Sequence, residues 1–140
     1  MSGGCNERRE PVNDLLAAAL AARANAHAPY SSFQVGAAIR GGDGRIYAGA
    51  NVENIAFPQS QCAEATAIGS MVTAGCREIA EIVIVAGGAT LIAPCGGCRQ
   101  RLIEFAGADV RVHLADPDGI RHSTTLGALM PLAFGRDHLA

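Results

Sequence analysis

Three cysteines and one glutamate have the residue types and the spacing that chemistry requires. Cys95 and Cys98 stand at the predicted start of a helix, where both sulfurs can face one point. Cys62 opens another predicted helix, and Glu64 lies close behind it on the same segment. Thiolates bind zinc and similar metal ions, and a carboxylate beside such an ion can carry protons. The four residues therefore predict a metal site with a neighbouring proton carrier.

The cysteine pair taken alone has several interpretations. A C-x-x-C segment can be a redox dithiol, half of a structural zinc site, or a chance occurrence. A redox dithiol does not explain Cys62 and Glu64. A structural zinc needs four protein ligands, and no histidine lies near these cysteines in the sequence, whereas three ligands and an open position are typical of catalytic zinc. The order C-x-E and then P-C-x-x-C also fits the zinc deaminase signature in its three-cysteine form.

The composition sets the class of protein that carries this site. The chain has 140 residues, of which 49% are hydrophobic and 17% charged, as expected for one packed domain over residues 1–140. Its net charge is −2 and it contains no lysine, which argues against nucleic-acid binding. No apolar run is long enough to span a membrane, and residues 1–10 are polar, flexible in this interpretation, and unlike a secretory signal. We therefore expect a cytoplasmic protein.

The cysteines and histidines outside the pattern receive structural interpretations. Cys76 is expected to be structural and Cys5 to lie in a frayed terminus. The four histidines match no metal-ligand spacing and are expected to be surface or packing residues: His27, His113, His122 and His138.

Hydrophobic periodicity predicts the elements that must position the site. Alternation predicts a hairpin of strands over 33–40 and 45–52, and apolar residues predict strands over 81–86 and 110–114. The turn signal at 116–119 predicts a short edge strand over 120–122. Helices are predicted over 11–26, 62–73, 96–106 and 126–132. The strand–helix–strand order in the second half implies a parallel pair with a right-handed crossover. The predicted fold is α/β, a three-layer α/β/α sandwich with a mixed five-stranded sheet.

Several segments together resemble the small, homotetrameric, zinc-dependent cytidine deaminases. They are YSSFQVGAA at 30–38, NVEN at 51–54, CAE at 62–64, PCGGCRQ at 94–100 and LMPLAFG at 129–135. The resemblance covers nearly the whole chain. It implies a cytidine deaminase-like domain, one Zn²⁺ per chain, a nucleoside substrate and a homo-oligomer, expected to be a tetramer.

The resemblance also implies a role for each matching residue. Cys62, Cys95 and Cys98 hold zinc, whose bound water is the nucleophile, and Glu64 is the proton shuttle. Asn51 and Glu53 bind the sugar, with Glu53 accepting from the 3′-hydroxyl. Phe33 packs beside the base and the Ala63 backbone helps to hold it. Phe134 reaches the site of a neighbouring subunit, to which Ile55 and Phe57 are also presented.

The chain departs from the family pattern at a few positions. The arginine that commonly follows C-A-E is replaced by Ala65, which removes a cation from the thiolates. Arg99 or Arg101 is the expected substitute. Ile55 and Phe57 replace a small residue and a tyrosine, which affects how the nucleoside is bound.

The expected function is hydrolytic deamination of cytidine and 2′-deoxycytidine to uridine and 2′-deoxyuridine in pyrimidine salvage. One alternative keeps this chemistry but acts on a modified or antibiotic nucleoside, as Ile55, Phe57 and Ala65 allow. Another is a zinc-binding oligomer whose catalysis has decayed, although a scaffold has no need of Glu64. A polynucleotide editor is disfavoured, because the chain lacks a basic aromatic groove.

Overall fold

The computed structural model describes residues 11–139. The predicted flexible segment over residues 1–10, which includes Cys5, lies outside the described residues. Helices are α1 (Pro11–Arg23), α2 (Ala63–Thr73), α3 (Gly96–Ile103) and α4 (Leu126–Leu129), with short 3₁₀ turns at Phe57–Gln59 and Arg136–His138. Strands are β1 (Val35–Gly41), β2 (Ile46–Ala50), β3 (Ile79–Ala86), β4 (Arg111–Asp116) and β5 (Gly119–Thr125).

The strands form one mixed five-stranded sheet in the order β2-β1-β3-β4-β5. Strand β1 pairs antiparallel with both β2 and β3, so the predicted hairpin joins the centre of the sheet. Strands β3 and β4 pair in parallel across the connection that contains α3, and β5 returns antiparallel at the edge. The predicted parallel pair is confirmed.

Helices cover both faces of the sheet, which confirms the predicted α/β/α layers. On one face, α1 buries Leu15 and Ala19 against Val83 and Val85 of the central strand. On the other face, a larger core packs α2 and α3 against the sheet and includes Met71, Ile84 and Leu102. Within the part of the chain that the structure describes, no helix is both long and apolar enough to span a membrane.

Two glycines let the helices approach the sheet closely. A Cβ at Gly36 would lie 2.0 Å from the Ala19 carbonyl oxygen, so α1 rests directly on β1. A Cβ at Gly49 would lie 2.5 Å from the Ala67 nitrogen, so α2 rests directly on β2. Side chains at these positions would separate the layers. The packing fixes the height of α2, the helix that follows Cys62 and carries Glu64.

Some element boundaries differ from the sequence-based expectation. Helix α1 ends at Arg23, before 26, because the chain turns so that His27 can form a parallel bridge with Val52. Strand β5 is longer than expected, since its backbone pairs with β4 from Arg111 to Asp116. Helix α4 is shorter and ends at Leu129.

Candidate metal centre and active site

Two helix N-termini bring the predicted metal-binding cysteines together. Cys62 is the N-cap residue of α2 and Cys95 that of α3, both in extended backbone conformations, while Cys98 lies in the first turn of α3. Because α2 and α3 pack on the same face of the sheet, these turns converge. The three sulfur atoms lie within 4.8 Å of one another. The three cysteines predicted from their spacing therefore form one cluster.

The cluster has the chemistry and dimensions of a zinc site. A tetrahedral zinc ion with Zn–S bonds of about 2.3 Å separates its sulfur ligands by about 3.8 Å. The sulfur positions are compatible with this spacing. Thiolate ligands favour zinc over hard cations such as Mg²⁺. Three cysteines leave one position of a tetrahedron for a small molecule, as catalytic zinc sites do.

The protein surroundings shift the pKa values of the three thiols in different directions. Burial raises the pKa of the Cys62 and Cys98 thiols above the ordinary value. The backbone N–H of Cys98, at the start of α3, lowers the pKa of the Cys95 thiol. Without a cation, Cys62 and Cys98 therefore keep their protons at neutral pH. Metal binding must displace these protons, which makes affinity dependent on pH.

Glu64 is a buried carboxyl group beside this cluster. It lies in the first turn of α2 and is only 5% exposed. Burial raises the pKa of Glu64, while its own backbone N–H, the Cys98 thiol and, least of the three, the positive charge of Arg101 partly oppose that rise. A carboxyl group whose pKa is moved toward neutrality can both accept and donate protons. The predicted proton carrier thus has a suitable environment.

A cleft of about 270 Å³ opens over Glu64 and the cysteines. Four of the predicted substrate contacts border this cleft, namely Phe33, Asn51, Glu53 and Ala63. Among the residues that the structure describes, its lining is Ser31, Phe33, Val35, Asn51, Glu53, Cys62, Ala63, Glu64, Ile92, Ala93 and Cys95. Phe33 is 38% exposed, so its ring is accessible to a planar ligand. The cleft combines an apolar wall with carboxylate, amide and hydroxyl groups.

Asn51 joins the strand end to the loop that carries Phe33. Its Nδ2 donates to the Phe33 carbonyl oxygen at 2.8 Å, and its Oδ1 accepts from the Val35 N–H at 2.9 Å. The amide still has a second N–H that these bonds do not use. Asn51 therefore orders the wall of the cleft, a role that the sequence analysis did not foresee.

Glu53 is held by the turn at 30–31. Its Oε1 accepts from the N–H groups of Tyr30 at 2.9 Å and Ser31 at 3.1 Å, and its Oε2 accepts from the Ser31 hydroxyl. The Ser31 hydroxyl is the main cause of a lowered pKa at Glu53, so this carboxylate stays ionised at neutral pH. An ionised carboxylate in a cleft can accept a hydrogen bond from a ligand hydroxyl.

Three predicted contacts do not line the cleft of their own chain. Ile55 and Phe57 are 73% and 67% exposed, and Phe57 instead packs edge-on against Tyr30. Phe134 is 58% exposed and stacks on His138. That Ile55, Phe57 and Phe134 contact the substrate site of a neighbouring subunit stays a prediction.

Sequence reasoning missed some residues of the cleft. Ser31 donates to Glu53 and accepts from the Phe33 N–H at 3.0 Å, so it links two predicted substrate contacts. Ser31 belongs to the YSSF segment at 30–33, and its place in that family-like segment could have marked it as a cleft residue. Ile92 and Ala93 come from the loop between β3 and α3, and no sequence pattern marked them.

Arg99 and Arg101 have different surroundings. Arg99 donates to the carbonyl oxygens of Pro94 at 2.7 Å and Leu129 at 2.9 Å, so it holds the loop before α3 against α4. Arg101 lines an open groove on the outer side of the cluster, together with Cys62 and Ala65. Of the two expected substitutes for the missing arginine, Arg99 therefore donates to backbone carbonyl oxygens, whereas Arg101 lies in the groove beside Cys62.

Two residues outside the site also have defined surroundings. Cys76 is buried, in agreement with a structural role. His113 is buried on β4, where its Nε2 lies 2.5 Å from Glu81 and its Nδ1 lies 2.6 Å from the Ser123 hydroxyl. This bonding explains His113 as a packing residue that links three strands.

Comparisons with known proteins point to a single family. The family model of the cytidine and deoxycytidylate deaminase zinc-binding region matches residues 9–114. A cytidine deaminase of Sporosarcina psychrophila is 40% identical over 129 residues, which cover 92% of this chain and 95% of the relative. A cytidine deaminase of Mycobacterium tuberculosis is 38% identical over 128 residues, which cover 91% of this chain and 92% of the relative.

Solved structures support the same assignment. The crystal structure of a cytidine deaminase from Burkholderia pseudomallei has a TM-score of 0.82 and 43% sequence identity, covering 88% of this chain and 98% of that one. With a three-cysteine cluster, a buried glutamate and a cleft above them, this chain belongs to the zinc-binding cytidine and deoxycytidylate deaminase family of enzymes.

Proposed function

We propose that this enzyme hydrolyses cytidine and 2′-deoxycytidine to uridine and 2′-deoxyuridine, with release of ammonia, in pyrimidine salvage. The observation that carries the proposal is the position of Glu64, a buried carboxyl group beside three clustered thiols at the floor of a cleft. A binding module whose catalysis has decayed has no need of such a group, because burying a carboxyl group costs free energy.

Cys62, Cys95 and Cys98 hold one zinc ion per chain in this proposal. When bound, zinc lowers the pKa of a water ligand so that hydroxide is available at neutral pH. The N-termini of α2 and α3 direct their positive dipole ends toward the thiolates and offset part of the negative charge. The apolar wall of the cleft limits access of other water molecules.

Glu64 moves the protons of the reaction. Its carboxylate accepts a proton from the attacking water and delivers it to N3 of the cytosine ring. Once the water oxygen is bonded to C4, Glu64 takes the second proton from this new hydroxyl and passes it to the amino group. The C4–N bond then breaks, ammonia leaves, and the carbonyl of uracil forms. One residue performs these steps because its raised pKa lets it hold a proton between them.

The cleft binds the nucleoside through its upper wall. Phe33 packs beside the base, and the backbone at Ala63 hydrogen-bonds to it. Glu53 accepts from the 3′-hydroxyl of the sugar, and the unused N–H of Asn51 donates to the sugar. In support, all four residues line the cleft, and Glu53 is ionised and already oriented by Ser31.

We also propose that the active enzyme is a homo-oligomer, expected to be a tetramer. In support, Ile55, Phe57, Leu132 and Phe134 are exposed apolar side chains in the isolated chain, and an interface would cover them. In this assembly Phe134 completes the site of a neighbour, and Ile55 and Phe57 face the neighbour's substrate. Light scattering of the eluted protein, together with a Phe134→Ala variant, tests this arrangement.

One observation favours a second substrate class. Phe57 and Tyr30 border a depression of about 340 Å³ that adjoins the cleft through Ser31 and Glu53. A depression bordered by two aromatic rings and adjoining Glu53, the proposed sugar contact, suits a nucleoside with a bulky substituent, such as an antibiotic nucleoside.

We also propose that residues 1–140 form one domain and that the enzyme is cytoplasmic. In support of that location, the four cysteines among the described residues are free thiols.

Substrate competition separates the two classes. The change in ultraviolet absorbance on deamination is followed with cytidine, 2′-deoxycytidine and nucleosides that carry bulky sugar or base substituents. The proposal predicts the highest kcat/KM for the unmodified nucleosides. If the enzyme binds zinc and deaminates only the modified compounds, the substrate assignment is wrong and the second class replaces it.

A further inference from the structure

The proposed zinc site has a charge that its ligands do not balance. Three thiolates around a divalent cation leave a net charge of −1. The first turn of α2 contains Glu64 and no basic residue, and the next position, Ala65, is uncharged. Helix dipoles supply only partial charges. A nearby cation would therefore stabilise the thiolate form of the cluster.

Arg101 lies where such a cation acts on the cluster. It is the one basic residue among the described residues that line the outer groove, and Cys62 and Ala65 line the same groove. Arg101 also follows Cys98 by three positions on α3, so the two share a helix face.

The guanidinium group folds back toward the cysteine loop. A Cβ built on Gly97 would lie 3.3 Å from Arg101 Nη1, which places the positive charge over the first turn of α3. Arg99, the other candidate for the counter-charge, donates instead to the carbonyl oxygens of Pro94 and Leu129.

We propose that Arg101 is the positioning residue that supplies the missing counter-charge, and that it stabilises zinc retention by the three thiolates from the outer groove. This inference rests on the proposed zinc function. Its action is electrostatic and takes place across an open groove, so its strength must fall as ionic strength rises.

The test measures the zinc dissociation constant of the purified chain by competition with a chromogenic chelator. Arg101→Gln is compared with the wild type, with Arg101→Lys, which keeps the charge, and with Arg77→Gln. Arg77 is exposed and follows the end of α2 opposite Cys62. Arg77→Gln therefore removes the same charge far from the cysteine cluster. We expect Arg101→Gln to weaken zinc binding by about threefold to tenfold at low salt. Arg101→Lys should lose less, and Arg77→Gln should stay within about twofold.

A second variant moves the charge without removing it. In Gly97→Ala the new methyl group would lie 3.3 Å from Nη1, so the end of the Arg101 side chain must shift by a few tenths of an ångström, while the helix accepts alanine readily. We expect a loss of zinc affinity smaller than that of Arg101→Gln, and this variant keeps the test informative if Arg101→Gln fails to fold. Gly96→Ala, whose Cβ would meet nothing within 4 Å, is the control for a change in the same loop. Wild-type zinc affinity in Arg101→Gln, or equal losses in Arg101→Gln and Arg77→Gln, would overturn the inference. If the wild type itself binds no zinc, the proposed function fails instead.

Discussion

The close contact between α2 and β2 at Gly49 provides a quantitative test of how the fold positions the site. A Cβ at Gly49 would lie 2.5 Å from the Ala67 nitrogen and 2.9 Å from the Ala63 carbonyl oxygen. Non-bonded heavy atoms ordinarily stay about 3.5 Å apart, so in Gly49→Ala the helix must retreat by about 1 Å. The contact is with backbone, which cannot rotate away as a side chain can.

The displacement affects both stability and catalysis. Overpacking of this kind costs about 1–3 kcal/mol of unfolding free energy. Helix α2 carries Glu64 and begins at Cys62, so a shift of about 1 Å misplaces the proton carrier, which can reduce kcat by up to about a hundredfold. Urea denaturation measures the first effect, and steady-state deamination of cytidine measures the second.

Gly69 on the same helix is a matched control. A Cβ at Gly69 meets no atom within 4 Å, and the position is exposed in the interior of α2. Gly69→Ala should therefore stabilise the protein by about 0.5–1 kcal/mol and leave turnover unchanged. A Gly49→Ala protein with the wild-type urea midpoint and turnover would refute the packing argument.

Further predictions concern the residues around the cleft. Burial raises the pKa of Glu64 in the folded chain, so metal-free Glu64→Gln should be more stable than the wild type at neutral pH. Because the folded state binds the extra proton, this advantage must vanish as pH falls below the ordinary glutamate pKa; an advantage that grows in acid would contradict it. Ser31→Ala should raise KM more than it lowers kcat, because Glu53 loses a donor; an unchanged KM for 2′-deoxycytidine would count against that role. Arg99→Gln should lower the free energy of unfolding by about 1–3 kcal/mol, and a shift below about 0.5 kcal/mol in urea titration would show that its two carbonyl contacts matter little.

The sequence was informative wherever periodicity or spacing reflected local structure. The five strands, the parallel β3–β4 pair and the convergence of Cys62, Cys95 and Cys98 follow from alternation, crossover rules and helix starts. The full length of β5 did not follow, because its polar residues are ordered by pairing with β4 rather than by burial.

Contacts between distant segments were less predictable. Asn51 was expected to face a sugar, yet its amide also ties the backbone at Phe33 and Val35. The hydrogen bond from Ser31 to Glu53 joins two loop segments that are brought together by the isolated backbone bridges between His27, Val52 and Gln61. Arg99 illustrates the same limit, since its partner at Leu129 lies in another element.

The most direct test of the central claim measures zinc content and cytidine turnover together in the wild type and in Glu64→Gln. We expect about one zinc per chain in both proteins, because Glu64 is not a ligand. We also expect that Glu64→Gln loses at least about a hundredfold in kcat, as is usual when a proton carrier is removed. A Glu64→Gln protein that keeps its zinc and wild-type turnover, or a wild type that binds no zinc yet deaminates cytidine, would contradict the account.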